Sequence, residues 1–517
     1  MKKLYTILVL LTLVLSTPLF AQTPCSLDNS FHTNGTLITD GSRLCDRVLS
    51  LPNGQVLVVY NPFGNGHVYI RRLQNNGTVD NTYGSSGKLS IQVASATTTI
   101  KGTYLKQDTL YVCGSTSTGS NTYAFVAKVK PDGSLDASFG NGGISSYSNF
   151  YTFNQLIPEP NSDKLLIAGM KGVSTASITR FHASGYMDGN FGNLGSTNVN
   201  SSGTGVYYEI RDLKTDQNNN IVITGKYYTT QGSNIFTQLT VMRFTPSGAL
   251  DNSFDSDGIA VYNSATNHHN EGVRIFVNSA NDYYVTGAAY NGMDWDYSLL
   301  KIKNNGTPDA AFGSSGWKIY DLSGHQEHEY HLNAVMLTNG NILMTGNQGS
   351  GDTVHFALLM VKPDGSFDQN FAPNGLFMNI FGTNNNNSSS GLSLTQDGKI
   401  YLSGYSRTCQ NGTCGPLYGG VARYLGGNSN AGTATNQLTF DGLLKLYPNP
   451  IKATNYFQLD YSLHDALDVR VFNAFGQSVP FKKLDQHRYQ LLQASAGMYW
   501  VEVRSKEKQQ GFSLLVE

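Results

Sequence analysis

Two stretches of the 517-residue chain place histidines beside carboxylates and aromatic residues, which are residue types that bind ligands. One stretch contains His268 and His269, and the other contains His325, His328 and His331. The segment between them adds aromatic and acidic side chains, namely Tyr290, Asp294, Trp295, Asp296 and Tyr297. Aromatic rings beside Asp and His can stack on a sugar or a peptide and hydrogen-bond to it. These ten residues are therefore the candidate ligand-binding residues.

Imidazoles together with carboxylates can also coordinate a transition metal. The spacing of these histidines does not form a closed ligand motif, however, so the sequence predicts no metal site and no cofactor. Asp251, Asp255 and Asp257 before Gly258 are similar to a calcium loop, but their spacing departs from the EF-hand pattern. A third interpretation, a polar loop surface with no dedicated ligand, also remains open.

The chain lacks the short motifs of common catalytic sites. A nucleophile elbow, a phosphate-binding glycine-rich loop and a zinc-protease helix are all absent, and no catalytic residue is predicted. A binding module for a glycan or a protein is therefore the favoured function. One alternative is an extracellular polysaccharide hydrolase or lyase, which needs two carboxylates about 5 to 10 Å apart in a pocket. The other is a purely structural surface protein.

The composition indicates that many short strands must position these residues. The chain has 55 Gly, 30 Tyr and 25 Phe, and only 14% of its residues are charged. Glycine-rich turns and abundant aromatic residues favour strands over helices. The formal net charge is −1 and the mature chain has no Lys/Arg cluster, which argues against nucleic acid or an anionic membrane surface as a partner.

One phrase recurs seven times, at intervals of 52 to 63 residues. Its aspartates are Asp28, Asp80, Asp136, Asp188, Asp251, Asp309 and Asp368. Each copy has an aromatic residue three positions after the aspartate and a glycine seven positions after it, as in SLDASFGNGG. A side-chain oxygen can fasten a tight turn, and glycine supplies the backbone freedom. We therefore interpret the seven aspartates as structural turns rather than catalytic carboxylates.

A second phrase alternates with the first and predicts buried strands, as in DKLLIAG from Asp163 and NILMTG from Asn341. Each period then holds about four strands, roughly what one propeller blade needs. The last period ends at Leu425 without its Asp turn, whereas the mature chain begins with that turn at residues 26–35. The sequence thus predicts an all-β protein with a seven-bladed β-propeller over residues 22–425, closed by its two ends. An open solenoid is the alternative.

The repeats over residues 26–425 resemble the delta-60 repeat family, and the order of their phrases is similar to that of NHL-type propellers. This resemblance implies a β-propeller with four strands per blade. It brings no catalytic residues, because no activity defines the family. The N-terminal copy departs from the pattern, since Cys25 stands where the other copies have a glycine three residues before the aspartate.

The first residues predict a signal peptide over residues 1–21. Lys2 and Lys3 precede an apolar run from Leu4 to Leu15, which is about half the ~20 residues needed to span a bilayer. We therefore expect export to the periplasm followed by cleavage, and no transmembrane anchor.

The five cysteines of this exported chain are an odd set, so at least one is free or paired outside the chain. Cys409 and Cys414 enclose a flexible turn and are predicted to form a disulfide. The pairing of Cys25 and Cys45 stays open.

A segment of small polar residues over 426–439 predicts a flexible linker, and the chain changes character over 440–517. This last unit resembles the type IX secretion sorting domain (type A). The residues that carry the resemblance include Tyr447, Pro448, Asn449, Pro450, Gly497 and Tyr499. The resemblance implies a small Ig-like β-sandwich that docks on the secretion machinery, and a protein that is secreted or held on the outer cell surface. An ordinary Ig-like adhesion module is the alternative.

Overall fold

A computed structural model describes most of the region from residue 25 to residue 426, and parts of the C-terminal unit. The gaps in the first region are 63–65, 94–96, 107, 120, 202–205, 232–233, 265–268, 325–326 and 396. The described C-terminal residues are 445–447, 451–452, 456–460, 468–473, 478–485, 487–492, 495, 497–504 and 509–516. The predicted signal peptide, most of the predicted linker and the Pro448-Asn449-Pro450 motif lie outside the described residues.

Short antiparallel strands follow one another in groups of four. The first group is β1 (Thr36–Ser50), β2 (Val56–Pro62), β3 (Val68–Leu73) and β4 (Lys88–Ile91). The second is β5 (Thr97–Lys106), β6 (Thr109–Ser117), β7 (Thr122–Val129) and β8 (Ile144–Tyr147). The third is β9 (Thr152–Pro158), β10 (Leu165–Lys171), β11 (Thr175–Phe181) and β12 (Ser196–Val199). Within each group every strand pairs with the next, as the alternating phrases predict.

The same arrangement continues towards the end of the region. The fourth group is β13 (Tyr207–Thr215), β14 (Ile221–Gln231), β15 (Asn234–Phe244) and β16 (Ile259–Tyr262). The fifth group is β17 (His269–Val277), β18 (Tyr283–Tyr290), β19 (Trp295–Ile302) and β20 (Trp317–Tyr320). They are followed by β21 (Glu329–Met336), β22 (Ile342–Ser350), β23 (Thr353–Val361), a 3-10 turn at Pro373–Gly375 and β24 (Leu376–Asn379). The last strands are β25 (Asn386–Leu394), β26 (Ile400–Arg407), the small hairpin β27 (Cys409–Gln410) and β28 (Thr413–Cys414), and β29 (Tyr418–Tyr424).

Strand β1 belongs to two sheets. Its first half pairs with β29, where Thr36 faces Ala422, and its second half pairs with β2, where Ser50 faces Val56. The N-terminal strand therefore completes the sheet formed by β25, β26 and β29, and also begins the first sheet. This pairing agrees with the prediction that the two ends of the propeller share one blade.

The hydrophobic core is divided into layers between successive sheets. Each layer combines side chains from two neighbouring sheets, and the aromatic residue of one repeated phrase lies in it. Phe191, for example, is fully buried between Ile178 of one sheet and Ile223 of the next. Burying a Phe side chain contributes roughly 1.5–3 kcal/mol relative to leaving it exposed. The stacking of sheets through these rings thus stabilises the β-propeller fold.

The repeated aspartates accept hydrogen bonds within their turns, and five of the seven pair with a cation from the preceding strand. In Asp188, Oδ1 accepts the backbone N–H of Asn190, and Oδ2 lies 2.8 Å from Arg180, eight residues earlier. The same 2.8 Å ion pair recurs as Arg72–Asp80, Lys128–Asp136, Arg243–Asp251 and Lys301–Asp309. Asp368 differs, because Met360 stands eight residues earlier and the Asn341 amide donates to its carboxylate at 2.8 Å. These carboxylates are therefore occupied by structural contacts.

The glycine seven residues after each aspartate has a positive φ, as at Gly35 with φ +84°. A Cβ at Gly35 would also lie 2.9 Å from the Cβ of Leu27. An L-residue at this position would therefore be both strained and crowded.

A β-bulge interrupts the innermost strand of each sheet, and nothing in the sequence pattern predicts it. In β1 the bulge lies between Cys45 and Arg47, and Arg47 Nη2 then donates to the carbonyl of Lys101 in the next sheet at 2.7 Å. In β17 it lies between Gly272 and Arg274, whose Nε donates to Asn333 at 2.8 Å. Bulges re-aim side chains and leave backbone groups unpaired. Here they let neighbouring inner strands hydrogen-bond to one another.

The described C-terminal residues form two further sheets. One contains β30 (Lys445–Tyr447), β31 (Tyr456–Asp460), β33 (Phe481–Lys483) and β34 (Arg488–Leu491), and the other contains β32 (Asp468–Asn473), β35 (Gly497–Arg504) and β36 (Gln509–Val516). Phe457 and Tyr489 of the first sheet share a core with Val501 and Leu514 of the second. None of the described residues of the protein forms a helix with the length and apolarity that crossing a bilayer requires.

Candidate functional site

Three of the predicted ligand-binding residues stand side by side on neighbouring strands of one sheet. His269 is the first residue of β17 and faces Tyr290 at the end of β18, and Tyr290 faces Trp295 at the start of β19. Their ring centroids are 5.8 Å apart for His269–Tyr290 and 5.6 Å for Tyr290–Trp295. The antiparallel register thus brings together residues that are distant in the sequence.

The row of rings extends into both neighbouring sheets. Phe236 of β15 stacks on His269 at 5.7 Å, and Tyr330 of β21 lies 5.6 Å from Trp295. His328 lies 6.1 Å from Tyr330 and completes what we call the aromatic cluster. Its six members are Phe236, His269, Tyr290, Trp295, His328 and Tyr330. Tyr330 is 38% exposed and the other five are half-buried, so the cluster is open to solvent.

Polar groups hold the imidazoles of the aromatic cluster and lie beside it. Nδ1 of His269 contacts the backbone N–H of Thr237 at 3.2 Å, and Nδ1 of His328 accepts the N–H of Trp295 at 3.3 Å. An ion pair between Lys226 and Glu271 lies on the neighbouring strands β14 and β17. Burial, and after it the Glu271 carboxylate, raise the pKa of Tyr330. The described imidazoles are therefore oriented by protein contacts.

Strand alternation directs the neighbours of these rings inward. Asp296 follows Trp295 and is 1% exposed, and Glu329 precedes Tyr330 and is 0% exposed. Asp321, from the connection between β20 and β21, is half-buried and joins them. One carboxylate oxygen from each of the three lies within 4.8 Å of the others. We call Asp296, Asp321 and Glu329 the carboxylate cluster, in which Asp296 and Glu329 are the chain neighbours of Trp295 and Tyr330.

Mutual repulsion and burial shape the titration of the carboxylate cluster. Burial first, and then the Asp296 and Asp321 carboxylates, raise the pKa of Glu329 to about 8. Burial also raises the pKa of Asp296, against a hydrogen bond from Asn291 that lowers it. The hairpin between β18 and β19 supplies this bond, since Nδ2 of Asn291 donates to Asp294 at 2.5 Å and to Asp296 at 3.0 Å.

Four predicted ligand-binding residues lie in the protein interior instead of on the surface, namely Asp294, Asp296, Tyr297 and His331. Tyr297 and His331 are 0% and 1% exposed, and their rings are 5.5 Å apart. Nε2 of His331 contacts the hydroxyl of Thr286 at 2.8 Å, and burial lowers the pKa of this imidazole to about 3. His331 lies on the same face of β21 as Glu329, whereas Tyr297 is buried because both faces of β19 are covered from Asp296 onwards. His268 and His325 lie outside the described residues.

The other predicted residues occupy defined places elsewhere. A disulfide joins Cys409 and Cys414 across the β27–β28 hairpin. Cys25 and Cys45 are both buried, but they lie in different core layers. In the C-terminal unit Gly497 begins β35, and the hydroxyl of Tyr499 donates to the carbonyl of Ser495 at 2.9 Å. Tyr447 ends β30.

The acidic turn that is similar to a calcium loop is organised by protein contacts. Arg243 lies 2.8 Å from Oδ2 of Asp251, and Ser253 donates to Oδ1. Asp257 accepts the N–H of Ile259 at 2.8 Å. Asp251 therefore serves the repeated turn.

Four residues of the two clusters are not among the ten candidate ligand-binding residues. Phe236, Tyr330, Asp321 and Glu329 belong to the aromatic or the carboxylate cluster, yet no motif marks them. The available signal is the alternation His328-Glu329-Tyr330-His331, which predicts opposite faces for successive residues once the strand is known.

Two family models match parts of the chain. Residues 445–517 match the secretion system C-terminal sorting domain. Residues 108–139 and 217–254 match a β-propeller domain of unknown function, DUF5122. The four-stranded sheets and these matches define the class, which is a repeat protein with a β-propeller fold. More particularly, it is a propeller that carries a C-terminal sorting domain, which implies type IX export to the cell surface or the extracellular space.

Comparison with solved structures finds similar proteins at low identity. A protein of unknown function from Dyadobacter fermentans is 9% identical, with a TM-score of 0.38, over 78% of this chain and 98% of that chain. The polysaccharide lyase Uly1 is 12% identical, with a TM-score of 0.40, over 77% and 92%. A gluconolactonase from Xanthomonas campestris is 11% identical, with a TM-score of 0.31, over 77% and 95%. Likenesses at these TM-scores carry no argument about function. No curated protein matches the chain.

Proposed function

We propose that this protein is a secreted or cell-surface glycan-binding propeller that recognises its ligand through the aromatic cluster and catalyses no reaction. The observation that carries this proposal is the continuous row of six partly exposed rings across three neighbouring sheets. Aromatic rings stack on the apolar faces of sugars, and nearby polar groups bind the hydroxyls. His269 and the Lys226–Glu271 ion pair supply such groups.

The organisation that we propose for the chain follows its sequence. A signal peptide occupies residues 1–21, a seven-bladed β-propeller 22–425, a linker 426–439 and an Ig-like sorting domain 440–517. The seven repeated phrases and the strand β1 shared between two sheets support the blade count. The propeller then serves as a rigid support for the aromatic cluster.

A polysaccharide hydrolase or lyase is less well supported by the same surface. Such an enzyme needs carboxylates that contact the bound sugar. The carboxylates next to the rings in the chain, Asp296 and Glu329, are 1% and 0% exposed. They are therefore out of reach of a polysaccharide that lies on the aromatic cluster.

A protein ligand is the other alternative, and exposed apolar residues argue for testing it. Ile235, next to Phe236, is 54% exposed, and Met293 in the β18–β19 hairpin is 66% exposed. A stable protein interface buries about 800 Å² on each partner, far more than one row of rings supplies. The compact row with polar neighbours favours a short stretch of sugar rings.

The test is binding of the mature full-length protein to parallel glycan and protein arrays, followed by calorimetry on each ligand. We expect glycan binding that weakens by about 10- to 100-fold in Trp295→Ala, because a stacked ring contributes roughly 1–3 kcal/mol. Tyr186→Ala is the matched control, since Tyr186 is 58% exposed and lies in the turn before Asp188, away from the aromatic cluster.

The possible outcomes separate the three functions. Binding to the protein array alone would replace the glycan by a protein partner. Cleavage of a bound polysaccharide would establish the enzymatic alternative, and two blank arrays would favour a purely structural protein.

A further inference from the structure

The carboxylate cluster is an unusual feature of the protein interior, since three acidic side chains from separate segments converge there. Asp296 comes from β19, Asp321 from the connection after β20, and Glu329 from the start of β21. Asp296 and Glu329 are buried to 99% or more. Burying carboxylates close together is costly unless a positive charge or a shared proton compensates them.

Two members of the carboxylate cluster have oxygens with no hydrogen-bond partner. Both carboxylate oxygens of Glu329 and Oδ1 of Asp296 are buried and accept no hydrogen bond. Among the described residues, no Lys or Arg forms an ion pair with either side chain. The repeated turns of the same protein show the contrast, because each of their ion pairs brings Arg or Lys to 2.8 Å from the aspartate. Asp296 and Glu329 therefore bury carboxylate oxygens that no described Lys or Arg neutralises.

The donor atoms of this cluster indicate which ligand fits. All of them are carboxylate oxygens, because the imidazoles of His328 and His331 contact Trp295 and Thr286 instead. Hard cations such as Ca²⁺ and Mg²⁺ prefer oxygen ligands, whereas transition metals favour imidazole or thiolate. Ca²⁺ binds oxygens at about 2.3–2.6 Å, so opposite ligands are about 5 Å apart. The 4.8 Å limit on the distances between the three oxygens fits that span.

A hydrated ion has a route to this position. A cleft of about 520 Å³ is bordered by Asn291, Asp296, Ser264 and Trp317. Asp321 is half-buried, so one edge of the carboxylate cluster is closer to solvent than the others. Water molecules entering from this edge can complete the coordination shell of the ion.

We propose that Asp296, Asp321 and Glu329 bind a Ca²⁺ ion that ties the connection between β20 and β21 to β19. The site is independent of the proposed glycan binding, because none of its three carboxylates belongs to the aromatic cluster and the ion does not require a sugar. Extracellular modules commonly bind Ca²⁺ with dissociation constants of about 0.1–1 mM, and an exported protein meets the ion at such concentrations. The bound ion stabilises the native state, since the unfolded chain lacks the site.

The first experiment uses the mature full-length protein, stripped with EDTA and titrated with Tb³⁺ and then with Ca²⁺. Trp295 precedes Asp296 in the chain, and Trp317 borders the same cleft, so excitation of tryptophan is expected to sensitise Tb³⁺ luminescence. Addition of Ca²⁺ is expected to displace Tb³⁺ and remove the signal. In a separate thermal scan, 10 mM Ca²⁺ is expected to raise the melting temperature by about 2–3 °C.

Variants assign the effect to this site. Glu329→Gln keeps the shape of the side chain and is expected to weaken Ca²⁺ binding at least tenfold and to abolish the thermal shift. Asp321→Asn is the second variant, because a half-buried position tolerates the change better if Glu329→Gln fails to fold. Asp255→Asn is the matched control, since Asp255 belongs to the other acidic turn, beside Asp257. It is expected to retain full binding.

The proposal is overturned if the stripped wild-type protein shows neither sensitised Tb³⁺ luminescence nor a thermal shift with Ca²⁺. It is equally overturned if folded Glu329→Gln and Asp321→Asn bind Ca²⁺ as the wild type does. Loss of binding in Asp255→Asn, with retention in the other two variants, would move the site to the turn around Asp257. Glycan binding that persists without Ca²⁺ would leave the proposal intact, because the two sites are tested separately.

Discussion

Nε of Arg423 lies 2.8 Å from Oδ2 of Asp28, so an ion pair joins the two ends of the propeller. In the interior repeats the cation precedes its aspartate by eight residues, as Arg180 precedes Asp188. Arg423 takes the same place from the opposite end of the chain, and its guanidinium lies 5.0 Å from the ring centroid of Phe31. The closing turn is therefore built like the others.

We expect Asp28→Asn to destabilise the protein by about 2–4 kcal/mol, because Arg423 is 1% exposed and would lose its counter-charge. Urea unfolding followed by intrinsic fluorescence measures this change. Asp132→Asn is the control, since Asp132 is 63% exposed and Asn can still accept the hydrogen bond of its turn. Equal unfolding midpoints for the two variants would contradict a structural role of the ion pair.

Asp188 should contribute stability that depends on pH. Burial opposes its ionisation, but hydrogen bonding to Lys164 and the charge of Arg180 prevail and lower its pKa to about 2. An unfolded Asp titrates near 3.9. The contribution is therefore fully present above about pH 4 and is lost as the pH falls through about 2. Unfolding free energies of the wild type and Asp188→Asn should converge over that range, and a constant difference down to pH 2 would refute this assignment.

Two fully buried tyrosines should respond oppositely to loss of the hydroxyl. The hydroxyl of Tyr297 has no hydrogen-bond partner, so Tyr297→Phe is expected to change stability by less than about 0.5 kcal/mol or to increase it. The hydroxyl of Tyr283 donates to Asp216 at 3.1 Å and accepts from Arg243 at 3.2 Å. Tyr283→Phe should therefore cost about 1–2 kcal/mol. Thermal and urea unfolding of both variants measure the difference, and equal losses would contradict it.

Deletion of residues 440–517 should prevent export across the outer membrane without disturbing the sheets of the propeller. The basis is the sorting-domain match over residues 445–517. In a bacterium with an active type IX system, cell fractionation should find the truncated protein in the periplasm and the full-length protein outside. Circular dichroism of the purified truncated protein checks that the strands persist. Export of the truncated protein would show that the signal lies elsewhere.

The sequence predicts the strands well because each repeat carries its own local signals. Asp188, Phe191 and Gly195 mark one turn, and the same spacing recurs along the chain, so the period of the fold is visible without coordinates. The β-bulges of the inner strands were not predictable. They depend on contacts between different sheets, such as that of Arg274 with Asn333, which no local pattern encodes.

The candidate site was predictable only in part. Trp295 and His269 belong to the aromatic cluster as their residue types suggest, but His331 lies in the core. His331 lies two residues after Glu329 in β21, so the two side chains point to the same side of the sheet. Which side of β21 is buried depends on its pairing with the neighbouring strand, and the sequence of β21 alone does not give that pairing. Contacts between side chains of different sheets, such as that of Tyr330 with Trp295, are visible only in the assembled structure.

The sharing of β1 between the first and the last sheet has a consequence for the order of folding. The strand pairs Thr36 with Ala422, so this contact forms only after nearly the whole propeller has been synthesised. Closing a loop of that length directly would cost about 5 kcal/mol of chain entropy. Stacking the intermediate sheets one upon another first brings the termini close and removes most of that cost. The ring is thus expected to shut as a late kinetic step, after the interior sheets have assembled.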